Sequence, residues 1–171
     1  MLSDTDEEEF STFARLVTPV ALRVVRRISP PGSDTEAVVA EAIARAFLHW
    51  ARLRTLSYRE AWFYRVATNL SLDATRRRRF SSEVGPARSD SSTQFEDRSL
   101  QRMELKDALL LLSNKQRQAV VLRYLLDLPV NDVASAMRLR SGTVRKHLER
   151  GLTALRSSLG TDPDEVIRGQ S

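Results

Sequence analysis

Apolar residues step along the chain by threes and fours. Phe10, Phe13, Leu16, Val17, Val20, Val24 and Ile28 keep this spacing, which predicts an amphipathic helix of about five turns. Pro19 should kink or reset it, because proline lacks an N–H and its ring crowds the preceding turn. "SPPGSD" breaks the chain, and Ser33 or Asp34 is placed to cap a second helix. That helix, about 34–50, should bury Val38, Ala42 or Ile43, Ala46, Phe47 and Trp50. "ARLRTL" reads as a connector. Ser57 can cap a third helix, about 58–79, that turns Ala61, Tyr64 or Arg65, Thr68 and Leu72 inward. Three such helices can close a small core.

The pattern then stops. Residues 81–99, "SSEVGPARSDSSTQFEDRS", hold six serines, one glycine and one proline and no helical stripe, so they read as a flexible linker. Fully extended, they reach about 60 Å. Helical spacing returns over 100–112, ending in Leu109 to Leu112. "SNKQ" has the Ser-x-x-Gln form of a capping box and opens a helix to about Leu126. "DLP" turns into a short helix, about 130–137; "RLRS" turns again, into a helix from Ser141 to about Leu159. The expected organisation is all-α: a helical domain over 1–80, the linker 81–99, a second helical domain over 100–160, and a loose tail, 161–171.

Composition narrows the function. The 171 residues carry a net charge of +5, with 42% hydrophobic and 29% charged residues, a balance typical of folded rather than disordered chains. The excess of base points to an anionic partner. No cysteine is present, which removes disulfides, thiolate ligands and a thiol nucleophile. The acidic start lacks the form of a signal peptide, and no apolar run approaches the roughly 20 residues that span a bilayer; a cytoplasmic location without membrane insertion is expected. His49 and His147 fall on different expected domains, outside any metal-spaced cluster, and the six glycines are scattered rather than gathered in a phosphate loop. Neither catalysis nor a cofactor is expected.

The last two helices have the form of a helix-turn-helix. On the second of them Val144, Leu148, Gly151 and Leu155 share one side, while Gly142, Thr143, Lys146, Glu149 and Arg150 lie opposite and Arg145 sits on the flank. The first turn of a recognition helix supplies base-edge contacts, which favours Thr143, Arg145 and Lys146. The alternative is an amphipathic surface helix whose charges meet only water.

"LSNKQRQAVVLRYLLDLPVNDVASAMRLRSGTVRKHLERGLTALR" resembles region 4 of bacterial sigma factors, especially the small extracytoplasmic-function group. The resemblance implies that Arg140, Ser141, Thr143, Arg145, Lys146, Glu149 and Arg150 face double-stranded promoter DNA about 35 bases upstream of the start site. Response-regulator activators share a similar "GTV-x-x-H-L" helix, so this half alone leaves both open. "AWFYRVATNLSLDATRRRR" is similar to sigma region 2, which reads and opens the element about 10 bases upstream. Unstacked bases expose faces and edges that polar pockets and a basic track can hold. The resemblance thereby implies roles in binding the melted non-template strand for Trp62, Tyr64, Asn69, Arg76, Arg77 and Arg78. For Trp62 and Tyr64 core packing stands as the alternative, and for the arginine run a solvated helix end.

"SDTEAVVAEAIARAFLHW" resembles the helix with which the family grips the clamp helices of the largest polymerase subunit. Asp34, Glu36 and Glu41 match its polar positions; Ala37 and Ala40 stand where the family usually has Asp and Gln. The implied function is a sigma factor that binds core RNA polymerase, at its clamp helices and flap, and is held in check by an anti-sigma factor. A DNA-binding regulator without polymerase binding and a protein-interaction module are the alternatives.

Overall fold

A computed structural model describes residues 4–30, 32–81 and 105–160, with the side chains of residues 76 and 78–81 left aside. Nearly all of the expected linker and the tail lie outside the described residues. Every regular element among those described is helical: α1 (Asp4–Ile28), α2 (Thr35–Leu48), α3 (Trp50–Leu53), α4 (Arg59–Ser81), α6 (Asn114–Val120), α7 (Val130–Met137) and α8 (Ser141–Leu159), with α5 helical over 105–111.

In the first half α1, α2 and α4 pack on one another. α1 starts six residues before the first apolar position and runs through Pro19 as one helix of 25 residues. Burial of Phe13, Val17, Ala21, Val24, Val25 and Ile28 on one side outweighs the hydrogen bond that proline cannot donate. Leu16, expected inside, is 59% exposed. Asp34 caps α2 by accepting from the Ala37 N–H at 2.9 Å. α2 ends at Leu48, and Trp50 opens the extra turn α3 inside the stretch expected as a connector. Trp50 is buried, whereas Phe47 is 45% exposed. Rings tie these helices together: Phe10 meets Phe47 and Trp50, and Phe13 meets Trp50, all with centroids 5.1 Å apart, while Phe13 meets Phe63 at 5.8 Å. Tilted and edge-on pairs at such distances add about 0.5–1.5 kcal/mol each. The acidic start of α1 is anchored too, since Arg54 pairs with Asp6 at 2.5 Å and with Glu9 at 3.0 Å.

In the second half Ser113 and Gln116 form the expected capping box. α6 then continues as a π turn, Val121–Leu125. Arg117 is 4% exposed because its guanidinium closes the end of α5, donating to the carbonyls of Leu109, Leu112 and Leu110 at 2.6, 2.7 and 3.1 Å. The last carbonyls of a helix lack a following turn to donate to them; that of Leu109 also accepts from the Leu112 N–H at 3.3 Å. α7 and α8 span the expected residues, and α8 packs on α6 and α7. Between α7 and α8 Arg138 takes the left-handed conformation, φ 55°, which costs an ordinary residue about 1–2 kcal/mol. The Leu139 N–H donates back to Ala134 at 2.9 Å and closes the turn.

Candidate nucleic-acid interface

α8 presents its sides as its spacing predicts. Val144, Leu148, Gly151 and Leu155 are buried; Arg140, Thr143, Arg145, Lys146, Glu149 and Arg150 are exposed. Arg145, Lys146 and Arg150 make no hydrogen bond or ion pair with any described residue, so their charge is available to a ligand. Ser141 is half-buried, and its hydroxyl donates to Asn131 Oδ1 at 2.8 Å, locking the start of α8 to α7. Arg140 stands at the N-cap without a capping side-chain bond, which leaves first-turn N–H groups open to an anion. Lys146, Glu149, Arg150, Thr153 and Ala154 line an open groove of ≈ 520 Å³. Thr153 and Ala154 are absent from the sequence-based set; extending the helical wheel by one turn places them there.

The second candidate set lies on α4. Its inner side, from Ala61 through Phe63, Tyr64, Ala67, Thr68, Ser71 and Leu72, is buried. Trp62 and Asn69 share the outer side and are half-buried. The Trp62 ring stands edge-on to His49 with centroids 6.2 Å apart. Tyr64 departs from expectation: at 6% exposure its ring lies in the core, 5.7 Å from Phe63, and cannot stack on a base. Burial, reinforced by Glu60, pushes its hydroxyl up to about 12. Arg76, Arg77 and Arg78 lie on the C-terminal part of α4. Arg77 is exposed; the Arg76 and Arg78 side chains fall outside the described ones.

The expected polymerase-facing acids are all on or beside α2 and exposed, but each already has a local partner. Asp34 caps the helix. Glu36 pairs with Arg26 on α1, and that hydrogen bond holds its carboxyl below the usual range. Glu41 pairs with Arg45 at 2.9 Å. Pairs this exposed are worth little, about 0–1 kcal/mol, so a competing partner can take over the carboxylates. Around them Ala37, Ala40 and Ala44 are exposed, and Leu48 is 78% exposed, giving α2 a smooth apolar outer stripe. Arg54, which ties α1 to the connector, carries no pattern by which sequence alone singles it out.

An all-helical chain with a helix-turn-helix at one end and a half-buried polar helix face at the other has the makings of a two-point DNA reader. The sigma-70 region 2 family matches residues 5–81, and the sigma-70 region 4 family matches residues 102–155. The RNA polymerase sigma-E factor of Streptomyces coelicolor is 31% identical over 156 residues, 88% of this chain and 86% of the relative. The ECF RNA polymerase sigma factor SigL of Mycobacterium tuberculosis is 30% identical over 146 residues, 82% of each chain. Among solved structures, the sigma factor RpoE in complex with the anti-sigma factor NepR from Bartonella quintana superposes with a TM-score of 0.62. It is 21% identical, with 91% of this chain and 99% of that one covered. The chain therefore belongs to the extracytoplasmic-function RNA polymerase sigma factors of the sigma-70 family.

Proposed function

We propose that the two helical halves act as separate domains on the two promoter elements, carried there by core RNA polymerase. The observation that carries this reading is the unpaired basic face of α8, with Arg145, Lys146 and Arg150 exposed beside a groove and no internal use for their charge. In the major groove Arg145 and Lys146 read base edges of the element about 35 bases upstream. Arg140, Ser141, Thr143, Glu149 and Arg150 set the helix against phosphates and neighbouring bases.

On α4, Asn69 and Trp62 receive an unstacked base of the melted non-template strand at the element about 10 bases upstream. Arg76, Arg77 and Arg78 supply the basic track. Tyr64 acts from the core, holding α4 in place. Asp34, Glu36 and Glu41, with the apolar stripe of α2, dock on the clamp helices of polymerase, and the helix-turn-helix half meets its flap. The protein works in the cytoplasm and is not an enzyme; polymerase supplies the chemistry. Because the structural neighbour is held by an anti-sigma factor, an inhibitor of that class is expected for this chain as well.

Two substitutions separate the roles. Arg145→Ala should relax specificity by about 1–3 kcal/mol at one base pair, read by binding to a set of single-base promoter variants; equal losses on every variant point to phosphate contact instead. Asn69→Ala should lower open-complex formation, followed by permanganate reactivity, while upstream duplex binding stays nearly unchanged. Undiminished melting in that variant rejects the pocket on α4.

A further inference from the structure

The first half of α1, the first turn of α4 and Trp50 of α3 line an open cleft of ≈ 390 Å³. Phe13 and Trp50 reach it from the core, and Leu16, 59% exposed, extends their apolar surface toward solvent. A single exposed leucine is ordinary. One that continues two buried rings inside a concave surface marks a place where a partner is received.

The polar part of the lining is acidic. Glu8 and Glu60 are exposed and make no hydrogen bond or ion pair with any described residue. Glu9 is paired with Arg54 at 3.0 Å. Arg59, a base in the same lining, turns Nη1 to the Arg54 carbonyl at 3.2 Å. The cleft therefore keeps negative charge in a chain whose net charge is +5. None of its lining residues is among those proposed for promoter or polymerase contact.

We propose that this cleft receives a basic amphipathic helix of a further protein, one that binds beside polymerase and promoter rather than in place of them. Apolar side chains of that helix, spaced i, i+3 or i+4 and i+7, cover Leu16 and the rings of Phe13 and Trp50. Its Arg or Lys residues meet Glu8 and Glu60. Two features select a helix as occupant. The long walls of the cleft are themselves helices, whose side-chain ridges leave grooves for a third. No strand edge exists among the described residues to pair with an extended peptide. A nucleic acid is ruled out by the same carboxylates, which repel its phosphates.

The test titrates the full chain into a fluorescein-labelled peptide of about 18 residues, long enough to form a helix. Leucines stand at the stated spacing with arginines beside them, and a second peptide carries glutamate for every arginine. Fluorescence anisotropy should rise with the first peptide and stay flat with the second. Glu8→Lys should weaken binding about fivefold, and Leu16→Ser about tenfold. Glu7→Lys, on the same helix but outside the cleft, should change it by less than about twofold. Positions 7, 8 and 16 are all exposed, so the three variants should share the thermal midpoint of the natural chain. Saturating core polymerase should leave the peptide bound. Equal losses for Glu7→Lys and Glu8→Lys would mean diffuse attraction to the acidic start of α1 and overturn the proposal. Unchanged binding in Leu16→Ser overturns it too, as does failure of the arginine peptide to bind. Displacement of the peptide by core polymerase overturns it as well, by making polymerase the occupant.

Discussion

Tyr64 lies among the rings of the first half, and burial raises its hydroxyl from an ordinary value near 10 to about 12. A raised value in the folded state stabilises the fold fully below pH 10. That contribution is lost as pH climbs toward 12, because the unfolded chain ionises first. Two units correspond to a loss on the order of 2–3 kcal/mol. Tyr64→Phe should therefore be less sensitive to alkali than the natural protein, as urea midpoints measured at pH 8 and pH 11 will show; parallel losses in both proteins contradict the assignment. Spacing with Ala61 and Thr68 left Tyr64 or Arg65 as the inward residue, and it did not exclude the candidate role of Tyr64 on DNA. Ring identity alone does not say which side of a helix meets solvent. Arg117 was wholly illegible: nothing in "NKQRQ" distinguishes an arginine that caps three carbonyls from one in water.

Helix α8 is the element that the sequence describes best, and one glycine explains how closely it packs. A Cβ on Gly151 would stand 2.9 Å from Val120 Cγ2 on α6, nearer than side chains tolerate. Valine in a helix has essentially one χ1 rotamer, so Val120 cannot swing away. Gly151→Ala gains about 1 kcal/mol of helix propensity and loses about 1–3 kcal/mol to overpacking. We expect a net destabilisation of about 1 kcal/mol by thermal or urea unfolding. Combined with Val120→Ala, it should cost about 1 kcal/mol less than the two single changes summed; strict additivity contradicts this contact. α8 was readable because its charges and aliphatic residues occupy opposite sides. α1 and α2 were less so: aliphatic residues surround α1, and Ala21 and Val25 took core positions where larger neighbours such as Leu16 fitted the spacing equally well. The break of the second helix before Trp50 likewise depended on where that indole found room, between Phe10 and Phe13.

At the scale of the whole molecule the all-α class, the helix-turn-helix and the family were all readable, because each depends on local periodicity or on a contiguous motif. The contact between the halves, α4 against α7 and the π turn, was not. Its α4 side is mixed, with Trp62, Arg65, Val66 and Asn69 within two turns, and such a face looks like ordinary surface until its partner is seen. Pairing of Glu36 with Arg26 was hidden because it joins two helices, whereas Glu41 and Arg45 have the i,i+4 spacing at which helical neighbours pair. The proposed polymerase-facing acids of α2 are thus paired within the free chain, by contacts weak enough to be exchanged. The most direct test of the proposed function is run-off transcription on genomic DNA with purified core polymerase, mapping transcript 5′ ends with and without this protein. New start sites preceded by two shared elements at constant spacing, together with co-elution of the protein and the core enzyme, are the predicted result. The same start sites as core polymerase alone, with no co-elution, would contradict the account.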